Sequence, residues 1–184
     1  MRIGARPSHP FYNAAILRLV VPVVLLFALA LPASAGAASF HYDVIELLDR
    51  PLKAVNRGSD VDVLLPTRMT TEFKRLYSEG KGQPGRYEFE IGAVRNCNQA
   101  TACFVAVFSA RRGAKPDGKK KLTLAKGRKG WFTPSRCGAS CGAATLEWLE
   151  DDVLHTIETK LGTQSTERTI LKRLADSAIR NGPR

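Results

Sequence analysis

No motif of high catalytic specificity runs through these 184 residues. Lys126-Gly127-Arg128-Lys129-Gly130 lacks the glycine pattern and the hydroxyl of a phosphate-binding loop, and no serine sits in a nucleophile elbow. Cysteine is scarce, with four in all. Cys137 and Cys141 are separated by three residues, where redox dithiols have two, and nothing marks a helix start that would stabilise a thiolate there. Cys97 and Cys103 stand five residues apart, too wide for the usual tetrathiolate zinc spacing. No cofactor or metal is therefore expected. Acid is also short, 17 Asp and Glu against 28 Lys and Arg, for a net charge of +11.

Long apolar runs are missing too. The longest uncharged apolar stretch, Leu19 to Leu31, has about thirteen residues and contains Pro22, short of the roughly 20 that span a bilayer. Arg2, Arg6 and Arg18 precede it, and Pro32 with the run ASAGAAS follows. That is the layout of a secretory signal peptide over residues 1–38, with cleavage after Ala35, Ala37 or Ala38. A retained anchor is the competing reading, and no stable transmembrane anchor is expected. The remaining residues 39–184 suffice for one exported domain, secreted or periplasmic. Its net charge is +8, because the first 38 residues carry three arginines and no acid.

In an oxidising compartment four cysteines fit two disulfides. Three pairings are possible. The short loops favour Cys97–Cys103 with Cys137–Cys141, while a crossed pairing would tie together the two ends of the basic segment between them.

Hydrophobic periodicity outlines the elements. Val44, Leu47 and Leu48 give a weak helical pattern that Pro51 interrupts, or else an irregular arm. Val61, Val63 and Leu65 share one face of a strand ending at Pro66. Phe73, Leu76 and Tyr77 predict a helix over residues 69–80, capped by Thr70 or Thr71. Gly80, Gly82, Pro84 and Gly85 then read as a loop. Residues 86–94 alternate, with Tyr87, Phe89 and Ile91 opposite Arg86, Glu88 and Glu90, and residues 102–110 are apolar on both faces. These two make a hairpin through the cysteine turn. Residues 111–120 read as a loop reaching into water, and 121–125 as a short strand. Thr145 to Leu149 and Val153 to Lys160 form a hairpin around Glu150-Asp151-Asp152. The clearest helix is 166–180, capped by Ser165, with Ile170, Leu171, Leu174, Ala175 and Ala178 as its stripe. The class is α+β: an antiparallel sheet of about six short strands, covered on one face by the C-terminal helix and in part by the helix expected near 70–78.

The basic segment is the best functional candidate. Lys119, Lys120, Lys121, Lys126, Arg128 and Lys129 flank a short strand and lead into Trp131 and Phe132. Lysines supply the salt-dependent part of binding to a polyanion, and an exposed aromatic stacks on a base or sugar ring. The partners that suit are an anionic cell-envelope polymer, a lipid surface, a polyanionic glycan, extracellular nucleic acid or a partner protein. Charge of this size also keeps a protein soluble with no binding role, and Trp131 and Phe132 also suit a core. His155 with Glu147 or Asp151 offers a second class of function, a small secreted hydrolase. Its face also holds Val153 and Ile157, which suits a packed histidine. His41, beside Phe40 and Tyr42, reads as exposed or packed.

Cys97-x5-Cys103, then LTLAKGRKGWFTPSRCGASC and ATLEWLEDDVLHTIETK, resemble a group of small exported bacterial proteins of unassigned activity. The closing WLEDDVLHTIETKL and ILKRLADSAIR are similar to the last hairpin and helix of periplasmic sensor-type domains. Trp148 matches the aromatic of that pattern, Ala175 and Ser177 match the helix end, and His155 stands where tyrosine is usual. The resemblance implies a non-enzymatic exported α+β domain and carries over no catalytic residue.

Overall fold

The computed structural model describes residues 38–138 and 141–184. The signal-peptide expectation for residues 1–38 falls outside that range but for Ala38, as do two residues of the second cysteine loop. In chain order the elements are β1 (Phe40–Asp43), α1 (Val44–Gly58), β2 (Arg68–Thr71), β3 (Tyr77–Gln83), β4 (Arg86–Gly92) and β5 (Phe104–Arg112). Then come β6 (Lys120–Thr123), β7 (Lys129–Thr133), β8 (Arg136–Cys137), β9 (Cys141–Gly142), β10 (Ala144–Glu150), β11 (Val153–Thr159) and α2 (Glu167–Asn181).

Seven of these strands make one antiparallel sheet in the order β3-β4-β5-β11-β10-β7-β6, and β1–β2 and β8–β9 form small ribbons. The α+β expectation holds, with one more strand in the main sheet than foreseen. Register places Phe89, Phe108, Ile157, Leu146 and Phe132 side by side across five strands. All five are buried. Burying each such side chain contributes about 1.5–3 kcal/mol. Both helices cover this face, α1 over β3 and β4 and α2 over β10 and β11.

The second covering helix is α1, not the segment near 70–78. Asp43 caps it, its Oδ1 accepting from the backbone N–H of Ile45 at 2.9 Å and of Glu46 at 3.0 Å. Pro51 does not interrupt it. A proline inside a helix leaves the carbonyl four residues back without its donor. That carbonyl is Leu47 O, and Ser78 Oγ on β3 donates to it at 2.8 Å. The bond proline removes is thus replaced by one that ties α1 to the sheet.

Residues 69–80 form β2 and the start of β3, because their apolar spacing belongs to two strands joined by a bend. Thr71 Oγ1 accepts from Phe73 N–H as β2 ends. Gly80 and Gly82 lie within β3 rather than in a loop. A Cβ on Gly82 would run into the Val55 carbonyl oxygen, and one on Gly80 would lie 2.9 Å from Pro51 Cβ. These glycines are there to let α1 approach. Residues 61–65 run extended but join no ladder. Their one bridge pairs Leu64 with Pro183, and Tyr87 Oη accepts from Leu64 N–H at 3.1 Å.

Ser165 does not cap α2. The Thr163 carbonyl accepts from the N–H groups of Thr166 and Glu167, both at 2.9 Å, and Thr166 Oγ1 accepts from Thr163 N–H. The cysteines pair as Cys97–Cys103 and Cys137–Cys141, the pairing that the short loops favour. All four cysteines are taken up in these two bridges.

Replacing Gly82 by alanine is expected to lift α1 from β3 and to lower stability by about 1–3 kcal/mol, the usual cost of overpacking. Urea unfolding of the variant measures it, with Gly138→Ala as a control for the loss of glycine's backbone freedom without a clash, since φ there is not positive and a Cβ meets nothing within 4 Å.

Candidate functional site

The face of the sheet turned away from the helices carries the chemistry. Register lines up Lys81, Glu88, Ser109, Thr156, Glu147, Trp131 and Lys121 as one transverse row across all seven strands. Glu158 and Thr145, paired across β11 and β10, stand one step along the strands, and Thr133 on β7 pairs with Thr145. Over the five residues from Lys81 to Glu147 lies a cleft of about 710 Å³. Hydroxyls and the carboxylates of Glu88, Glu147 and Glu158 form its floor, and Lys81, Arg86, Arg111 and Lys115 stand around it.

The loop expected to reach into water instead walls this cleft. Glu147 Oε2 accepts from the backbone N–H of Asp117 at 3.0 Å and of Gly118 at 3.1 Å. Gly118 presses against Trp131, where a Cβ would sit 2.7 Å from the Trp131 carbonyl carbon. Glu147 is buried, and burial raises its pKa above the ordinary carboxylate value against the lowering effect of its two backbone donors. Burial, then the charges of Glu88 and Glu147, raise that of Glu158. The cleft thus has a floor of carboxyls and hydroxyls and a rim of cationic side chains.

The basic residues gather on the edge hairpin β6–β7 without converging in one pocket. Lys121 lies beside Trp131 on the cleft face, whereas Lys120 lies beside Phe132 on the helix-covered face. Lys126, in a left-handed conformation (φ 54°), occupies the turn between the strands. Lys119, Lys120, Lys121, Lys126 and Lys129 are exposed, while Trp131 and Arg128 are half-buried. Arg128 is not free for a ligand, because it pairs with Glu150. The other ion pairs among the described residues are Lys53–Asp49, Arg112–Asp60 and Lys172–Asp176, so none engages the five lysines.

His155 and Glu147 are not brought together. His155 pairs with Trp148 in the ladder and is buried beneath the helices, while Glu147, one residue before Trp148, faces the cleft. The imidazole stacks on Trp148 with ring centres 5.3 Å apart, and its Nδ1 lies 3.2 Å from Tyr87 Oη. Asp151 sits in the hairpin turn with φ 47°. Burial lowers the His155 pKa to about 4, so at neutral pH the ring is an uncharged packing group. His41 is exposed on β1 with Nδ1 2.8 Å from Thr70 Oγ1.

Sequence reasoning missed Ser109, Thr156 and the rim cations, and it set Glu147 beside His155. The polar side of Arg86, Glu88 and Glu90 was the one available signal. Comparison of the chain with protein-family models, curated proteins and solved structures finds no match. Among the described residues no helix is long and apolar enough to cross a membrane. The chain is an α+β protein with two disulfides, one helix-covered sheet face and one polar, cleft-bearing face.

The depressed His155 pKa sets a pH dependence. His155 takes up a proton near pH 6.5 in the unfolded chain and only near 4 in the folded one, so its contribution to stability falls as pH drops through that window and levels off below it. The expected loss is roughly 3 kcal/mol. Urea midpoints between pH 7 and pH 4 measure it, and His155→Phe should flatten that part of the profile.

Proposed function

We propose that this chain is a non-enzymatic exported binding domain that engages an anionic envelope component, or a partner protein bearing one, through the β6–β7 edge. The observation that carries the reading is the charge left unpaired there. Neighbouring acids are committed to structure: Glu150 holds Arg128, and Asp176 on α2 accepts from Ala125 N–H at 2.6 Å and from Lys172. The five exposed lysines keep their charge for something else, beside the half-buried ring of Trp131. Arg111 and Lys115 at the cleft continue the positive surface inward, and the acidic floor selects ligands that also bring amines or hydroxyls. Two disulfides and the leader-like first 38 residues suit export to an oxidising compartment. Hydrolysis through His155 has no support in this arrangement, since that side chain lies on the other side of the sheet from Glu147.

Changing Lys119, Lys120, Lys121, Lys126 and Lys129 together to glutamine should weaken binding to polyphosphate or heparin. The slope of log affinity against log salt should shrink by roughly 0.7–0.9 for each ligand charge that a lysine no longer neutralises. Arg128 is left in place because its removal would strand Glu150. Affinity and slope unchanged from the parent would rule out this edge as the binding surface.

A further inference from the structure

A second cleft, of about 870 Å³, lies elsewhere on the molecule, where β2, the Lys160–Thr163 connection, the first disulfide loop and the N-terminal half of α2 meet. Its lining differs in kind from that of the polar cleft. Met69, Phe104, Leu161 and Leu174 are buried beneath it, and Phe73 and Ile170 are half-buried along it. Arg68, Lys160 and Arg173 also line it, with Glu72 as the single acid. None of the three cations takes part in an ion pair among the described residues. The remaining residues, 1–37 and 139–140, contain no Asp or Glu that could neutralise them.

Lys160 is the telling residue. Its Nζ donates to the Thr101 carbonyl at 3.0 Å and lies 5.8 Å from the centre of the Phe104 ring. The carbonyl comes from the loop closed by Cys97–Cys103. An ammonium is thus held at the edge of an apolar floor with hydrogen-bonding capacity to spare and no carboxylate to meet it.

We propose that this cleft binds a long-chain fatty acid, its alkyl chain over Phe104, Leu161, Ile170 and Leu174 and its carboxylate between Lys160 and Arg173. Charge complementarity and an apolar floor call together for one anionic head on one apolar tail. A polyanion would leave the floor uncovered, and a neutral lipid would leave the cations unmet. The volume lies within the usual range for small-molecule sites.

The test is a fluorescence titration of the purified protein with cis-parinaric acid, followed by displacement with oleate, methyl oleate and lysophosphatidylglycerol. The expected result is saturable one-to-one binding that oleate displaces and methyl oleate does not. Lys160→Met combined with Arg173→Gln should weaken binding at least about tenfold while the circular dichroism spectrum stays that of the parent, and Lys160→Arg should retain it. Displacement by methyl oleate as good as by oleate, absence of saturable binding, or an undiminished affinity in the double variant would each overturn the proposal. Stronger displacement by lysophosphatidylglycerol than by oleate would overturn the carboxylate as the head group.

Discussion

The contact between α1 and β3 is backbone against backbone, and the arrangement of the sheet's two faces follows from it. Gly58, Gly80 and Gly82 remove the side chains that would hold the two elements apart, and Ser78 supplies the donor that Pro51 takes away. With α1 seated there, Val44, Leu48 and Val55 complete the core above Phe89 while α2 closes it above Leu146 and Ile157. Both helices are thereby committed to one face. The other is left to polar side chains and to a loop, which is what makes a cleft possible there.

The two faces impose opposite chemistry on neighbouring residues. Trp148 and His155 stack in the core, where a proton on the ring is costly, and Glu147 and Thr156, one position away on the same strands, face the cleft. Tyr87 Oη joins the buried side together. It meets the Leu64 backbone and His155 Nδ1, so one hydroxyl links the extended 61–65 segment, β4 and β11. A tyrosine so enclosed has its pKa pushed up by burial, and it serves as a neutral hydrogen-bonding centre.

What was legible in the sequence was local. Alternation in 145–149 and 153–160, and the stripe Leu171, Leu174, Ala175 and Ala178, needed no knowledge of partners. The short cysteine loops likewise carried their own pairing. What was misread depended on distant residues. Phe73, Leu76 and Tyr77 have helical spacing, yet they serve two strands, and Gly80 and Gly82 look like loop formers until α1 lies on them. The cleft was hidden for the same reason. Lys81, Glu88, Ser109, Thr156 and Glu147 come from five strands, and only the register of the ladder makes them neighbours. The basic residues were visible as composition, but the diversion of Arg128 to Glu150 was not.

The turn between β6 and β7 is clamped from outside the hairpin: Asp176 of α2 takes the Ala125 N–H, and Glu167 takes that of Ser135 just beyond β7. The lysine-bearing edge is therefore a pre-set scaffold, not an arm that folds on contact. Whatever meets it finds the backbone positions of those charges already decided, so the entropic penalty of ordering falls on the ligand and on the lysine tips alone. On the proposed reading, such a surface would discriminate by the spacing of negative charges it can match. A flexible basic tail, which adapts its own spacing, has no means of doing so.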